Sequence, residues 1–214
     1  MRIFPIQYLI FLSAACLNFS CNSYRHMQKI QSGRSCVQKF KPDFNHVLYQ
    51  TSVYVAGKYI SGILLIKYMP DSSTRIVFSN ETGFPFFDFG FMPDNGFTIY
   101  QVTPRMNKKA LIKTLRKDFE LLLFRNMDNS KYYALSDSLL VYHAYPQSKG
   151  INYYITDVNC RQLVKMQRAS NKKPIMEAFM DGAAFNNPPD SIFIRHLNFN
   201  FSIALKKITG LAPQ

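Results

Sequence analysis

Phe84-Pro85-Phe86-Phe87-Asp88-Phe89-Gly90-Phe91, followed by Met92-Pro93-Asp94-Asn95-Gly96 and then Phe97-Thr98-Ile99-Tyr100-Gln101-Val102, is the stretch whose reading decides the fold. Two aromatic-rich runs flank a cluster of turn formers, and aromatic side chains favour extended chain over helix. Asp94-Asn95-Gly96 predicts a hairpin, because Asn-Gly supplies the positive φ angles a tight turn needs. A period of two puts Phe87, Phe89 and Phe91 on one strand face.

The same grammar extends in both directions. Upstream, Val47, Tyr49, Thr51, Val53 and Val55 share a face, and Gly57-Lys58 turns the chain into a strand from Ile60 to Tyr68. Met69-Pro70-Asp71-Ser72 and Asn80-Glu81-Thr82-Gly83 are turns on either side of a strand from Arg75 to Ser79. Downstream, strands are expected over 131–135, 139–145, 152–158, 162–168 and 174–180, with a long final one over 191–205. In that last strand Leu197, Phe199, Phe201, Ile203 and Leu205 line one face, and His196, Asn198, Asn200 and Ser202 the other.

One segment breaks the period. Asn107 is placed to cap a helix, after which Leu111, Leu115, Phe119, Leu122 and Leu123 recur at helical spacing. Lys108, Lys109, Lys113, Arg116, Lys117 and Glu120 take the other side. This predicts one amphipathic helix of about 18 residues, which must cover the sheet. The expected fold is mainly β with a helix: an incomplete antiparallel β-barrel of about 10–11 strands over residues 45–205, with a C-terminal tail over 206–214. An open sheet of ten or more strands curls or closes.

Composition agrees. The 214 residues are 47% hydrophobic and 18% charged, enough for a buried core. Nine Gly and eleven Pro exclude collagen-like and low-complexity chains. Four His and four Cys leave little material for a metal cluster, and no cofactor is expected.

The N-terminus has its own logic. Residues 1–20 carry one charge, Arg2, ahead of a short apolar run and small residues, which reads as an export signal. Leu17-Asn18-Phe19-Ser20-Cys21-Asn22-Ser23 resembles the lipobox of bacterial lipoproteins in the relaxed form common in the Bacteroidetes, although its Leu stands four places before the Cys. That resemblance implies cleavage before Cys21 and acylation there, with Cys16 as the rival site. Cleavage removes one base and no acid, leaving net charge +12. Residues 21–44 are polar and read as a basic tether, in which Arg25, Lys29 and Arg34 are suited to anionic headgroups. An oxidising envelope permits a disulfide between Cys36 and Cys160, two separate buried thiols being the alternative.

Catalytic signatures are absent: no Gly-x-Ser-x-Gly, His-Glu-x-x-His, phosphate-binding loop or Cys-x-x-Cys occurs. His143 and His196 are isolated strand histidines and Asp88 lies among aromatics, so no nucleophile–base pair is visible and an enzyme is not expected. The charge invites nucleic acid, but no binding motif accompanies it and an exported chain meets little, so none is expected as a partner.

The order of lipobox, polar segment, strands including Ser61-Gly62-Ile63-Leu64-Leu65-Ile66, a helix after the fifth strand and then more strands resembles the outer-membrane lipoproteins of the lipoprotein-localisation (LolA/LolB-like) superfamily. The resemblance implies a half-barrel with an apolar concave face, anchored by lipid at the outer membrane. It implies binding of an amphiphile, such as a lipoprotein acyl chain or lipid, with Phe87, Phe89, Phe91, Leu197, Phe199 and Phe201 lining the cavity. Read from residues alone, these faces serve equally as a filled core beneath the helix. The alternative function is a structural or adaptor lipoprotein that joins envelope protein partners and takes no ligand.

Overall fold

The computed structural model describes residues 22–33, 35–182 and 187–209. The export signal, Cys16, Cys21 and Arg34 therefore lie outside the described residues. The chain begins with β1 (Gln28–Ile30) and a single-turn α1 (Ser35–Gln38). A meander follows: β2 (His46–Val55), β3 (Lys58–Tyr68), β4 (Thr74–Ser79), β5 (Pro85–Phe91) and β6 (Phe97–Val102). After α2 (Lys109–Leu122) a second meander runs through β7 (Tyr133–Ser136), β8 (Leu140–Pro146), β9 (Ile151–Asp157), β10 (Leu163–Ala169), β11 (Pro174–Asp181), β12 (Ser191–His196) and β13 (Phe201–Lys207).

All thirteen strands form one antiparallel sheet in the order β1-β7-β8-β9-β10-β11-β12-β13-β2-β3-β4-β5-β6. β13 returns to pair with β2 and joins the two meanders, while β1 and β6 remain as edges, so the barrel is open. Because α2 connects β6 at one edge to β7 near the other, it must cross a face of the sheet. It also shows that the sheet is strongly curved. Phe119 of α2 lies 6.0 Å from Phe87 of β5, and the Leu121 carbonyl two residues on accepts a 3.1 Å hydrogen bond from Tyr154 Oη of β9. Eight strand spacings separate β5 from β9, about 38 Å in a flat sheet. One helix reaches both only if the sheet wraps round it.

Alternation sets which side chains enter the concave face. Val47, Tyr49, Thr51 and Val53 of β2 are buried, as are Phe87, Phe89 and Phe91 of β5 and the inner stripe of α2. The β2–β3 turn is Ala56-Gly57, both left-handed at φ 48° and 80°. At Gly62 a Cβ would stand 2.1 Å from the Ser79 carbonyl, so a glycine is needed for β3 to approach β4.

The expected helix is shorter at its ends, and Asn107 does not cap it. Lys108 occupies the cap position without a side-chain hydrogen bond. In the β5–β6 turn the left-handed residue is Asn95 alone, at φ 66°, because a longer turn closed by Met92 N–H on Gly96 O replaces the tight one.

Two expectations need larger correction. The segment over 191–205 is not one strand. It is the β12–β13 hairpin, whose turn is made by 197–200, because Asn198 and Asn200 supply turn chemistry within an alternating pattern. The stretch expected to be a basic tether is also folded. Ser23 N–H donates to Lys172 O, Tyr24 stacks on Tyr153 at 4.9 Å on the convex face, and β1 pairs with β7. The chain then rounds the sheet edge and inserts Val37 and Phe44 into the concave core. Composition hid this because its anchors are four isolated side chains in polar surroundings. Cys36 and Cys160 are joined, with a Cα–Cα separation of 5.8 Å, and close a loop across 124 residues.

Candidate functional site: a cavity beneath the helix

α2 divides the concave side of the sheet by its own amphipathicity. Leu111, Leu115 and Phe119 recur at i, i+4 and i+8 and look toward β2, β3 and β13. They do not fill the space they face. A cavity of about 760 Å³ remains between helix and sheet, within the ~300–1,000 Å³ typical of small-molecule sites. Its floor is Leu64, Phe78, Phe87, Phe201 and Ile203, each buried to 3% exposure or less. Thr51 is the polar residue of the floor, and its hydroxyl is turned to its own strand, donating to the Tyr49 carbonyl at 3.1 Å. The floor therefore offers area and no directed hydrogen-bond donor.

The rim is different. Lys58 at the start of β3 and Arg105 and Lys108 in the β6–α2 loop are exposed cations lining the same cavity, and among the described residues no carboxylate lines it. The uncapped N-terminus of α2, without an acid in its first turn, lies at Lys108 and adds positive partial charge. An apolar floor beneath a cationic rim suits one chemical shape: a hydrocarbon body with an anionic or strongly polar head.

Of the six expected lining residues, Phe87 and Phe201 reach the cavity. Phe89 and Phe91 are on the correct face but pack solidly, each about 5 Å from Phe97 with 0% exposure. Leu197 and Phe199 are displaced to the β12–β13 turn and are 46% exposed. The lining that sequence reasoning missed comes from β2 and β3, with Val53 and Leu64 as examples. Their alternation was visible, but not their position opposite the helix. Arg25 and Lys29 are exposed on the folded N-terminal segment, Lys29 Nζ lying 5.9 Å over the Tyr133 ring.

The isolated histidines are structural. His196 Nε2 meets Asp118 Oδ2 of α2 at 2.9 Å, and Arg168 Nη1 of β10 donates to Asp118 Oδ1 at 2.9 Å. This buried group fixes the depth and rotation of the helix, and hence the height of the cavity roof. His143 lies between Tyr132 Oη at 2.9 Å and Thr156 Oγ1 at 3.2 Å, and its burial lowers its pKa to about 4, so the ring is neutral. Asp88 faces outward and accepts two hydrogen bonds from Arg75, at 2.7 and 2.6 Å. Among the described residues no group of three or more His, Cys, Asp or Glu is placed to hold a metal ion, and no helix is long and apolar enough to cross a membrane.

No protein-family model and no curated protein matches the chain. Several solved structures are similar to it. One is a domain assigned as an outer membrane lipoprotein-sorting protein from Vibrio parahaemolyticus, at 6% identity and TM-score 0.45, covering 83% of this chain and 92% of that one. A LolA superfamily protein from Nitrosomonas europaea shows 7% identity and TM-score 0.45, over 86% and 96%. A DUF1329 family protein from Desulfovibrio piger shows 8% identity and TM-score 0.41, over 77% and 84%.

Proposed function

We propose that this protein is a lipoprotein of the outer membrane, anchored through acyl chains on Cys21, that binds an amphiphile without covalent chemistry. Its ligand is a lipid or the acyl chain of another lipoprotein, held in the cavity beneath α2. The observation that carries the reading is the pairing of a buried, donor-free apolar floor with a rim whose charges, among the described residues, are Lys58, Arg105 and Lys108. Each CH₂ transferred from water to such a floor contributes ~0.8 kcal/mol. A chain of ten or so methylenes would then be held without any hydrogen bond.

Two further features support the envelope setting. The Cys36–Cys160 disulfide suits an oxidising compartment. The folded N-terminal segment brings Ser23 onto the β10–β11 turn at Lys172, two residues after the proposed acylated cysteine. On this reading the anchor meets the domain directly, with Arg25, Lys172 and Lys173 beside the bilayer, each worth ~1 kcal/mol against an anionic surface.

The test is native mass spectrometry of the chain from residue 22 onward, purified from cells without detergent, with solvent extraction of anything bound. The reading predicts co-purifying lipid or fatty acyl species at up to one per chain. Protein that carries no such species, and takes none up on incubation with phospholipid, supports the adaptor alternative instead.

A further inference from the structure

The other side of α2 bounds a second and larger concavity, of about 1130 Å³. It shares no lining residue with the apolar cavity, and its chemistry is the reverse. Eight cationic side chains and three carboxylates line it. The carboxylates are already engaged: Glu120 accepts from Arg116 at 2.7 Å, Asp128 from Ser130 and Lys131, and Asp43 from Asn45 at 2.7 Å. Lys113 and Lys117 of α2, Lys149 in the β8–β9 turn and Lys41 before β2 have no ion-pair partner among the described residues.

These cations come from three separate pieces of chain. Lys113, Arg116 and Lys117 share a helix face at i, i+3 and i+4. Opposite them stand Lys149 and Arg168, the latter held in place by Asp118. Lys117 is half-buried. Its own pKa is lowered, first by burial and then by the charges of Arg168 and Lys113; the Glu120 carboxylate opposes the shift but is already engaged by Arg116, and Lys149 adds a smaller push. A half-buried lysine beside Arg168, Lys113 and Lys149, with its nearest carboxylate already shared with Arg116, leaves a local excess of positive charge in a groove with room for a sizeable ligand.

We propose that this groove binds a multiply charged, phosphate-bearing anion between Lys113, Lys117 and Lys149. The oxyanion supplies the missing countercharge, and charge-assisted hydrogen bonds from three ammonium groups hold it. The shared chemistry is phosphate, whether on a lipid headgroup or in solution. The site is independent of the apolar cavity and stands or falls separately from it.

The experiment uses the full chain purified in a non-ionic detergent, with two probes: pyrophosphate by titration calorimetry, and vesicles of phosphatidylglycerol in phosphatidylcholine by co-sedimentation. Three proteins are compared: wild type, Lys117→Gln/Lys149→Gln, and a charge-matched control, Lys67→Gln/Lys206→Gln, whose residues lie exposed on the convex face. Pyrophosphate binding should weaken by at least about tenfold in the groove variant and by less than about twofold in the control. Raising salt should weaken it further. Because the substitutions relieve repulsion, the groove variant should melt no lower than wild type, so loss of binding is not loss of fold. Vesicle binding is read as the gain over phosphatidylcholine vesicles alone, which removes attachment through the N-terminal acyl chains; a gain that follows the same pattern assigns the phosphate to a headgroup, and pyrophosphate binding without it assigns a soluble ligand. Failure of both probes to bind wild type, or equal weakening in groove and control variants, would overturn the proposal.

Discussion

Arg168 and Asp118 form the contact that holds the helix to the sheet. Arg168 Nη1, at the end of β10, donates to the fully buried Asp118 carboxylate of α2 at 2.9 Å, with His196 of β12 completing the group. A carboxylate with no solvent access is tolerated only when paired and hydrogen-bonded. It lies between the apolar cavity and the basic groove, so a change here is felt on both sides of the helix.

Asp118→Asn leaves Arg168 without its countercharge and disturbs the hydrogen bond to His196. Removing one partner of a buried pair costs about 3–5 kcal/mol. The loss should appear in a denaturant midpoint, and a variant as stable as wild type would mean that the helix is held by packing alone.

The disulfide tethers the folded N-terminal segment across 124 residues. In the chain-entropy description a loop of that length is worth about 4–5 kcal/mol. Cys36→Ser/Cys160→Ser should unfold at lower denaturant by a few kcal/mol. It should also expose the 22–44 segment to protease, whereas an unchanged cleavage pattern would show that the β1–β7 pairing and the packing of Tyr24, Val37 and Phe44 secure it without the disulfide.

Acid sensitivity follows from two buried groups. His143 is held neutral by burial, its pKa down to about 4. As pH falls from about 6.5 to 4 the unfolded chain takes up a proton that the folded one refuses, so stability declines through that window by about 2–3 kcal/mol. Glu177 behaves in the usual carboxylate sense. Burial opposes its charge, but hydrogen bonds from Lys165, Arg195 and Gln167 outweigh burial and lower its pKa to about 2, so its contribution is lost as pH falls from about 4.5 to 2. In His143→Gln the decline between pH 6.5 and about 5 should largely disappear while the Glu177 part below 4.5 remains, and an unchanged pH profile would assign the sensitivity to other groups.

Ala56 adopts φ 48° in the β2–β3 turn, where an L side chain is strained. Ala56→Gly should raise stability by about 1 kcal/mol, read as a higher melting temperature. A lower one would mean that the alanine methyl makes contacts worth more than the strain.

How much of this was legible in the sequence differs by element. The β2 and β5 faces and the helix stripe through Leu115 and Phe119 followed from period alone, because one strongly buried face leaves an unambiguous pattern. The β12–β13 hairpin did not. His196 to Ser202 keeps alternating through the turn, so periodicity could not distinguish one long strand from two, and Leu197 and Phe199 were misplaced as a result. The N-terminal wrap was invisible for the opposite reason, since Tyr24, Cys36, Val37 and Phe44 are too sparse to form a pattern. The cavity depends on sheet curvature, which brings β13 and β2 beneath the helix, and curvature is a property of the closed set of pairings, not of any strand.

The central claim is that the space beneath α2 is a binding cavity for an amphiphile, and the most direct measurement is a fluorescent fatty-acid titration of wild type against Val53→Trp. Val53 lines the cavity from β2, and an indole there would occupy the space without touching the basic groove. The account predicts saturable binding near one per chain in wild type and its loss in a variant that still folds. Undiminished binding in Val53→Trp, or no binding to either protein, would contradict it.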